Sequence, residues 1–199
     1  TGPGRRARRA LLARPGCLLV GADYSQSKLR RLAHLSGDMG MAEAFLSGQD
    51  IHTRTAAPVY DVPVEAVTAG MRSAAKAVNF GIVYGISDFG LARNIGITRG
   101  HAAEFIARYF DRYPGVKPFM DKAVATAKAL GYAETLLGRR RPVPELESRN
   151  YNTRSFGERV AMNTPVQGSA ADIIKLAMVR VHETLSREGL GAKLILQVH

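Results

Sequence analysis

Two groups of residues in this sequence have types and spacings that could do chemistry. The first is Asp23, which directly follows the short apolar run 18–22. Such a run predicts a buried strand, and a carboxylate held at the end of a strand suits a hard divalent cation such as Mg²⁺. Because an isolated Asp is also common as a helix N-cap or in a surface turn, this pattern alone leaves both interpretations open.

The second group is a row of basic and aromatic residues spaced four apart: Arg72, Lys76, Phe80 and Tyr84. In a helix this spacing keeps the four side chains along one face. Two cations one turn apart can hold a polyphosphate, and the two rings offer surface to a base or a sugar. The alternative is a solvated basic helix whose aromatic residues pack inward, and the spacing alone favours neither.

The elements that must position these residues are mainly helices. Helices are predicted over 27–35, 41–46, 51–59, 72–85, 88–94, 99–113, 116–130 and 151–185, with a further helix start at Pro63. The last of them is interrupted at Thr164-Pro165, because proline removes a backbone donor. Segment 132–143 predicts a hairpin with a basic second arm, and 193–198 predicts a closing strand. This order predicts an α+β fold, in which a helical insertion divides one small sheet.

The composition favours a polyanionic partner. The 199-residue chain has a formal net charge of +11 and a pI near 10.2, although a basic surface can also serve solubility alone. Its single cysteine, Cys17, fits a reducing compartment, and we expect a buried structural thiol. No apolar stretch approaches the roughly 20 residues that span a bilayer. Since the chain lacks an initiating Met, we interpret it as a segment of a longer protein.

Six stretches, in order along the chain, resemble the motifs of the family A DNA polymerases, the bacterial DNA polymerase I type. They are Asp23-Tyr-Ser-Gln (motif A), Gly48-Gln-Asp-Ile-His-Thr, Arg72-x-x-x-Lys76-x-x-Asn79-Phe80-Gly81-x-x-Tyr84-Gly85 (motif B), 131–141, 158–172, and Leu196-Gln197-Val198-His199 (the start of motif C). The resemblance covers nearly the whole chain from about residue 5. It implies a right-hand polymerase domain with a palm, built on a small antiparallel sheet, and inserted, mostly helical fingers; the thumb is absent. The implied boundaries are palm 1–37, fingers 38–150 with the motif B helix at about 71–86, and palm 151–199.

The resemblance also implies an activity, template-directed DNA synthesis in the parent enzyme. Two Mg²⁺ ions would assist transfer of a deoxynucleotide to the primer 3′-hydroxyl, bound by Asp23 and the backbone carbonyl of Tyr24. The implied partners are primer-template DNA and deoxynucleoside triphosphates (dNTPs), with no membrane. We expect a monomer located in the cytoplasm, at the bacterial nucleoid.

Other site residues follow from the same resemblance. Those that would line the nucleotide pocket are Gln26, Lys28, His52, Arg72, Lys76, Phe80 and Tyr84. Those that would contact DNA are Arg159, Asn163, Gln167 and His199. Contacts from the minor-groove side suit a polymerase, because all correct base pairs share that acceptor pattern.

The sequence departs from the family pattern in motif A. Ser27-Lys28 stands where the family usually has Ile-Glu, and Arg31 replaces a usually apolar residue. The family's Glu helps to exclude the ribose 2′-hydroxyl and pairs with the tyrosine equivalent to Tyr84. We therefore expect Lys28 to remove that acceptor and to weaken sugar discrimination in the parent enzyme, unless the change is sequence drift.

Motif C continues in the family with Asp-Glu after the position of His199. Without that second carboxylate we expect the chain to be inactive by itself, since Asp38, Asp50 and Asp172 do not lie at matching positions. Two other function classes remain open, a noncatalytic basic nucleic-acid-binding module and a single-subunit RNA polymerase or reverse transcriptase. A P-loop NTPase is disfavoured because no G-x-x-x-x-G-K-[ST] stretch occurs.

Overall fold

The structure, a computed structural model, describes residues 12–197. This part of the chain is mostly helical. Its α-helices are α1 (Ser27–Ser36), α2 (Met39–Leu46), α3 (Ile51–Tyr60), α4 (Ala69–Val83), α5 (Asp88–Ile95), α6 (Arg99–Arg112), α7 (Val116–Leu130), α8 (Tyr151–Asn163) and α9 (Ser169–Arg187). The short strands β1 (Tyr132–Glu134) and β2 (Arg140–Pro142) form an antiparallel hairpin between α7 and α8. None of these helices is both long enough and apolar enough to cross a membrane.

Most helix boundaries have a local cause in the sequence. Polar side chains accept hydrogen bonds from the first free backbone N–H groups of α2, α3, α4, α5, α6 and α8; they belong to Asp38, Asp50, Thr68, Ser87, Thr98 and Asn150. Glycines in the left-handed conformation end α1, α5 and α7. The predicted helix start at Pro63 yields only a 3₁₀ turn, Val64–Ala66.

The break predicted at Thr164-Pro165 is confirmed in an unexpected form. The five residues Thr164–Gly168 form a π-helical turn that joins α8 to α9. A π turn leaves some carbonyls without their usual partner. Here the buried Arg31 of α1 donates from Nε to the Val166 carbonyl oxygen at 2.8 Å. The departure noted at Arg31 therefore has a structural role, and burial lowers the pKa of this guanidinium.

The helices enclose one large core and one small core. The large core joins α1 to α7 through fully buried side chains such as Leu29, Ile51, Val78 and Tyr109. The small core lies under the hairpin; its buried members are Ala127, Ala133, Val143, Leu146, Val160 and Ala161. Because α3 packs along α4 within the large core, these two helices form a rigid layer.

The predicted hairpin is confirmed. Tyr132 pairs with Pro142 and Glu134 with Arg140, whose side chains also form an ion pair at 3.0 Å. Just beyond β1, the Thr135 hydroxyl donates to Asp172 of α9 at 2.6 Å. The Arg139 Nε donates to the same carboxylate at 2.7 Å, so the hairpin is fastened to the start of α9.

The two predicted flanking strands are wrong for the residues that the structure describes. Segments 18–22 and 193–197 have no strand pairing, and Val198 lies outside the described range. Their apolar side chains are exposed, with Leu18 at 89% and Ile195 at 73%. A strand requires a neighbour for its N–H and C=O groups, and residues 18–22 and 193–196 have no strand neighbour within the described range. The described fold is thus mostly helical with a two-stranded antiparallel sheet, and Cys17, expected to be buried, is exposed for the same reason.

Candidate functional site

Helix α4 is the platform of the candidate site. Its inner face is fully buried through residues such as Ala75, Val78 and Ile82. Arg72 and Lys76 lie exposed on the opposite side, with Phe80 half-buried between the two faces and Tyr84 exposed just beyond the helix. The basic and aromatic row is therefore displayed outward, on a helix that the core holds in place. Of the two interpretations left open by the spacing, this favours a binding face.

Arg72 is held by a carboxylate that the sequence analysis left without a role. Asp50 caps α3 and receives two hydrogen bonds from Arg72, from Nε at 2.5 Å and from a terminal nitrogen at 3.3 Å. Partial burial raises the pKa of the Asp50 carboxyl, but bonds from Arg72, Thr53 and the His52 backbone lower it by more, so the net shift is well downward. The bidentate pair fixes the direction of the guanidinium.

His52 lies beneath this pair in a buried polar network. The His52 side chain is 3% exposed, and its Nδ1 lies 3.0 Å from the amide nitrogen of the fully buried Asn79. The imidazole also contacts the Phe80 ring, with centroids 5.8 Å apart. Burial is the main cause that lowers the pKa of His52; the Arg72 and Lys76 cations add to the shift, and Asp50 opposes it. The ring is therefore kept neutral at neutral pH.

Lys28, Tyr84 and Gln167 meet at the other end of the row. The Lys28 ammonium donates to the Tyr84 hydroxyl oxygen at 2.5 Å and lies 5.1 Å from the Tyr84 ring centre and 5.8 Å from that of Phe80. The Gln167 side-chain amide donates to the same hydroxyl. Since both donors use the lone pairs of this oxygen, the Tyr84 O–H remains free to donate. Position 28 therefore still bonds to Tyr84, although it holds Lys where the family usually has Glu. The lysine donates to the tyrosine hydroxyl, whereas a glutamate would accept from it.

Gln26 and Asp23 lie on the approach to α1. Gln26 has φ 53°, a left-handed conformation that is rare outside glycine, and its side-chain oxygen is buried without a partner. Backbone outliers of this kind cluster at functional sites. Asp23 and Tyr24 are exposed in a segment that is neither helix nor strand, and Asp23 makes no hydrogen bond or ion pair with any residue from 12 to 197.

The predicted metal ligands have suitable chemistry but form an incomplete set. A carboxylate and a backbone carbonyl are the hard oxygen donors that Mg²⁺ prefers. Within the described range, however, no group of three or more His, Cys, Asp or Glu side chains converges. The other three carboxylates considered are engaged within the fold: Asp50 and Asp172 as described above, and Asp38 by the backbone N–H groups of Met41 and Gly115.

The predicted DNA-contacting residues lie on α8 and the π turn. Arg159 donates to the Ser155 hydroxyl at 3.0 Å, and the Asn163 side-chain oxygen is buried without a partner. A cleft of about 90 Å³ beside Asn163 and Gln167 is lined by three successive arginines, Arg139, Arg140 and Arg141. His199 lies outside the described residues.

The end of α4 comes close to α8, which carries the predicted DNA-contacting residues Arg159 and Asn163. Gly85, at φ 64°, follows α4, and a Cβ placed there would lie 2.6 Å from Met162 Cε and 3.1 Å from Arg159 Cγ, both on α8. A side chain at this position would displace the Met162 terminal methyl group and would strain the backbone at this positive φ, so glycine is favoured there. The roles of Asp50 and Asn79 and the bond of Arg31 were not predicted from the sequence. For Asp50, its place directly before a helix was the one signal available.

Comparison with known proteins gives consistent results. The model of DNA polymerase family A matches residues 1–199. DNA polymerase I of Geobacillus stearothermophilus is 58% identical over 197 residues, and that of Bacillus subtilis strain 168 is 55% identical over 197 residues. Each match covers 98% of this chain but 22% of the relative. A solved structure of the POL domain of Pol1 from M. smegmatis, in complex with DNA primer-template and dNTP, matches with a TM-score of 0.84 at 44% identity, over 88% of this chain and 31% of that one.

Proposed function

This chain belongs to DNA polymerase family A, and on that premise we propose that it forms the nucleotide-binding part of an enzyme that copies a DNA template. The enzyme would transfer deoxynucleotides to the 3′-hydroxyl of a primer. The proposal rests most on the outward basic and aromatic face of α4, a helix anchored in the core through its buried inner face. A noncatalytic basic module would need positive charge, but it would not need aromatic residues placed in line with the cations.

The phosphates of the incoming nucleotide would bind at the N-terminal half of α4. Arg72 and Lys76 provide two cations one helical turn apart, and His52 provides a neutral donor below them. The Asp50 carboxylate holds the Arg72 guanidinium by two bonds, so this arginine is positioned before the substrate arrives. Positioning before binding reduces the ordering cost that binding must overcome.

The sugar and base would bind at the C-terminal half of α4. Phe80 offers ring surface between His52 and Lys28, and Lys28 also contacts Tyr84. Gln26, whose backbone is strained, would line the same pocket. Lys28 leaves no carboxylate beside Tyr84, in agreement with our expectation that the parent enzyme discriminates weakly against the ribose 2′-hydroxyl. The reversed Lys28–Tyr84 bond supports this, because the free Tyr84 O–H can donate to an added hydroxyl oxygen.

The primer-template duplex would lie against α8 and the π turn. Arg159, Asn163 and Gln167 are candidates for minor-groove contacts, and the adjacent arginine-lined cleft suits a phosphate backbone. The similar POL domain from M. smegmatis is in complex with DNA primer-template and dNTP, which supports the same partners here.

We further propose a division of the chain into subdomains. Residues 1–37 and 151–199 would belong to the palm, with His199 near the primer terminus, and residues 38–150 would form the fingers. The enzyme would act as a monomer.

Asp23 and the Tyr24 carbonyl would contribute to a Mg²⁺ site. When bound, the ions would polarise phosphoryl oxygen and lower the pKa of the attacking hydroxyl. This chain would present a carboxylate directly after segment 18–22, four residues before α1 begins.

The nucleotide-binding role can be tested in the complete polymerase that contains this chain. We expect Arg72→Ala and Lys76→Ala each to weaken dNTP binding roughly 10- to 100-fold, since each removes a charge-assisted phosphate contact. Binding is measured as the dNTP concentration dependence of single-nucleotide addition to a primer. Arg99→Ala is a matched control, because Arg99 is also an exposed arginine paired with a helix-start carboxylate, that of Asp88. Equal effects at all three positions would contradict the proposal.

A further inference from the structure

Asn79 is a buried polar residue, and packing alone does not explain why a polar side chain occupies this position. It belongs to the inner face of α4 and is 0% exposed, among apolar side chains. Burying an amide is costly unless its hydrogen bonds are replaced. The amide of Asn79 has two partners, the Nδ1 atom of His52 at 3.0 Å and the Thr55 hydroxyl at 3.2 Å.

The surrounding bonds assign the direction of each contact. The Thr55 hydroxyl donates to the Ile51 carbonyl at 2.7 Å, which is shorter than its 3.2 Å contact with the Asn79 side-chain oxygen. With its hydrogen used there, the Thr55 oxygen accepts from the Asn79 NH₂ group. The second hydrogen of this NH₂ group points to His52 Nδ1, which must then be the unprotonated ring nitrogen.

The other ring nitrogen of His52, Nε2, is available for a ligand. In residues 12–197 it forms no hydrogen bond, and it is not among the fully buried unpaired atoms. The charged groups that face the ring are Asp50, at the start of its own helix, and Arg72 and Lys76, from α4. The hydroxyl of Tyr113, from the end of α6, lies 3.1 Å from the Thr55 oxygen at the far end of the network.

We propose that Asn79 is a positioning residue that holds His52 in the neutral form with its hydrogen on Nε2, so that this N–H donates to the triphosphate of an incoming nucleotide. The inference rests on the proposed phosphate-binding role of His52. A neutral donor adds a hydrogen bond without placing a third cation beside Arg72 and Lys76. It also leaves the Asp50 carboxylate to Arg72, since an imidazolium would compete for it.

The protonation state can be read directly by ¹⁵N NMR of the 199-residue chain labelled at its five histidines. At pH 7.5 we expect His52 to show an unprotonated Nδ1 and a protonated Nε2. Asn79→Asp retains the size but presents only acceptors, so the hydrogen should move to Nδ1 or the ring should become an imidazolium. Asn79→Leu removes both the donor and the acceptor of the side chain, so His52 should show a mixture of the two tautomers. This second variant keeps the test valid if the buried carboxylate of Asn79→Asp prevents folding. His52→Leu assigns the signal, and exposed His101 serves as an internal reference.

Binding in the complete polymerase separates this inference from the proposed function. We expect Asn79→Leu to weaken binding of the dNTP that matches the template roughly 3- to 10-fold, with little change in the rate at saturating dNTP. A hydrogen on Nδ1 in the unmodified chain, or a tautomer that neither Asn79 variant changes, would overturn the inference whatever the activity. The expected tautomer, together with a His52→Leu enzyme that binds dNTP normally, would instead overturn the phosphate-binding role of His52.

Discussion

The layer of α3 and α4 differs from the two irregular segments 18–24 and 193–196 in how it obtains its structure. In the helical layer each backbone is satisfied within its own helix, and side chains such as Ile51 and Val78 are completely buried. In the irregular segments the backbone has no strand partner among the described residues, and Leu18 and Val20 are about nine-tenths exposed, at 89% and 90%. Helices are local structures, whereas strands depend on distant neighbours.

This difference divides the candidate site into two halves. The half that would bind the nucleotide has fixed geometry, from the Asp50–Arg72 pair to the Tyr84 hydroxyl. The half that contains Asp23 has suitable chemistry, but no hydrogen bond or ion pair within residues 12–197 fixes the direction of its carboxylate. Nucleotide recognition and metal binding should therefore respond differently to mutation.

The largest expected effect is at Asp23, where we expect a mutation to lower activity without lowering stability. In the complete polymerase, Asp23→Ala should lower the rate of nucleotide addition roughly 1000-fold or more, because it removes a charge that compensates the reacting centre. The thermal unfolding midpoint should stay the same, since Asp23 is exposed and unpaired in the described structure. Asp121→Ala, at an exposed carboxylate of α7, is the control that should leave both quantities unchanged. An active Asp23→Ala enzyme would favour the basic binding module.

The second prediction compares two leucines, one from each region. Leu29 is 0% exposed and Leu18 is 89% exposed. Leu29→Ala should lower the free energy of unfolding of the chain by about 3 kcal/mol, because it leaves a cavity in the large core. Leu18→Ala should change it by less than about 0.5 kcal/mol. Urea unfolding followed by circular dichroism measures both, and a large loss for Leu18→Ala would show that segment 18–22 packs in solution.

The third prediction concerns selectivity for the sugar. Lys28→Glu in the complete polymerase should increase discrimination against ribonucleotides roughly 10-fold or more, because a carboxylate beside Tyr84 would accept from its hydroxyl and crowd an added 2′-oxygen. The measurement compares incorporation of matched deoxy- and ribonucleotides. Lys28→Gln separates the loss of positive charge from the gain of an acceptor carboxylate. Equal discrimination by the unmodified and Lys28→Glu enzymes would remove Lys28 from the determinants of selectivity.

The smallest expected effect is a pH dependence that belongs to the helical layer. Burial lowers the pKa of His52 in the folded chain below its ordinary value of 6.5. As pH falls below that value the unfolded chain takes up the proton first, so the folded state loses stability until the lower folded pKa is reached. The slope for one such group is at most about 1.4 kcal/mol per pH unit. Unfolding by urea between pH 7.5 and 5 should show this slope, and His52→Leu should reduce it.

The sequence predicted the local parts of the structure well. Capping residues such as Thr98 and glycines such as Gly131 mark helix ends within one or two positions, and Tyr132 and Pro142 pair as the hairpin prediction requires. The four-residue spacing from Arg72 also predicted that these side chains share one side of α4, because helical periodicity depends only on nearby residues.

The remaining features depend on partners that are distant in sequence. The Arg72–Asp50 pair spans 22 positions, Asn79 reaches His52 across 27, and Arg31 reaches Val166 across 135. No periodicity specifies which polar groups meet across such separations. The predicted strands failed for a related reason, because an apolar run such as 18–22 has strand propensity but does not state whether a neighbour is present.

The glycine contact beyond α4 has a mechanical consequence. Because Gly85 has no side chain, the end of α4 approaches Met162 and Arg159 of α8 closely, and this contact anchors that end of the helix. At 1.5 Å per residue, Tyr84 lies about 1.5 Å from this contact along the axis, Lys76 about 14 Å and Arg72 about 20 Å. Arg72 is fixed at the other end of the helix, by the Asp50 carboxylate at the start of α3. The two ends of the basic and aromatic row are therefore held by different elements, so a substitution at one anchor should displace the nearby end of the row and leave the other in place.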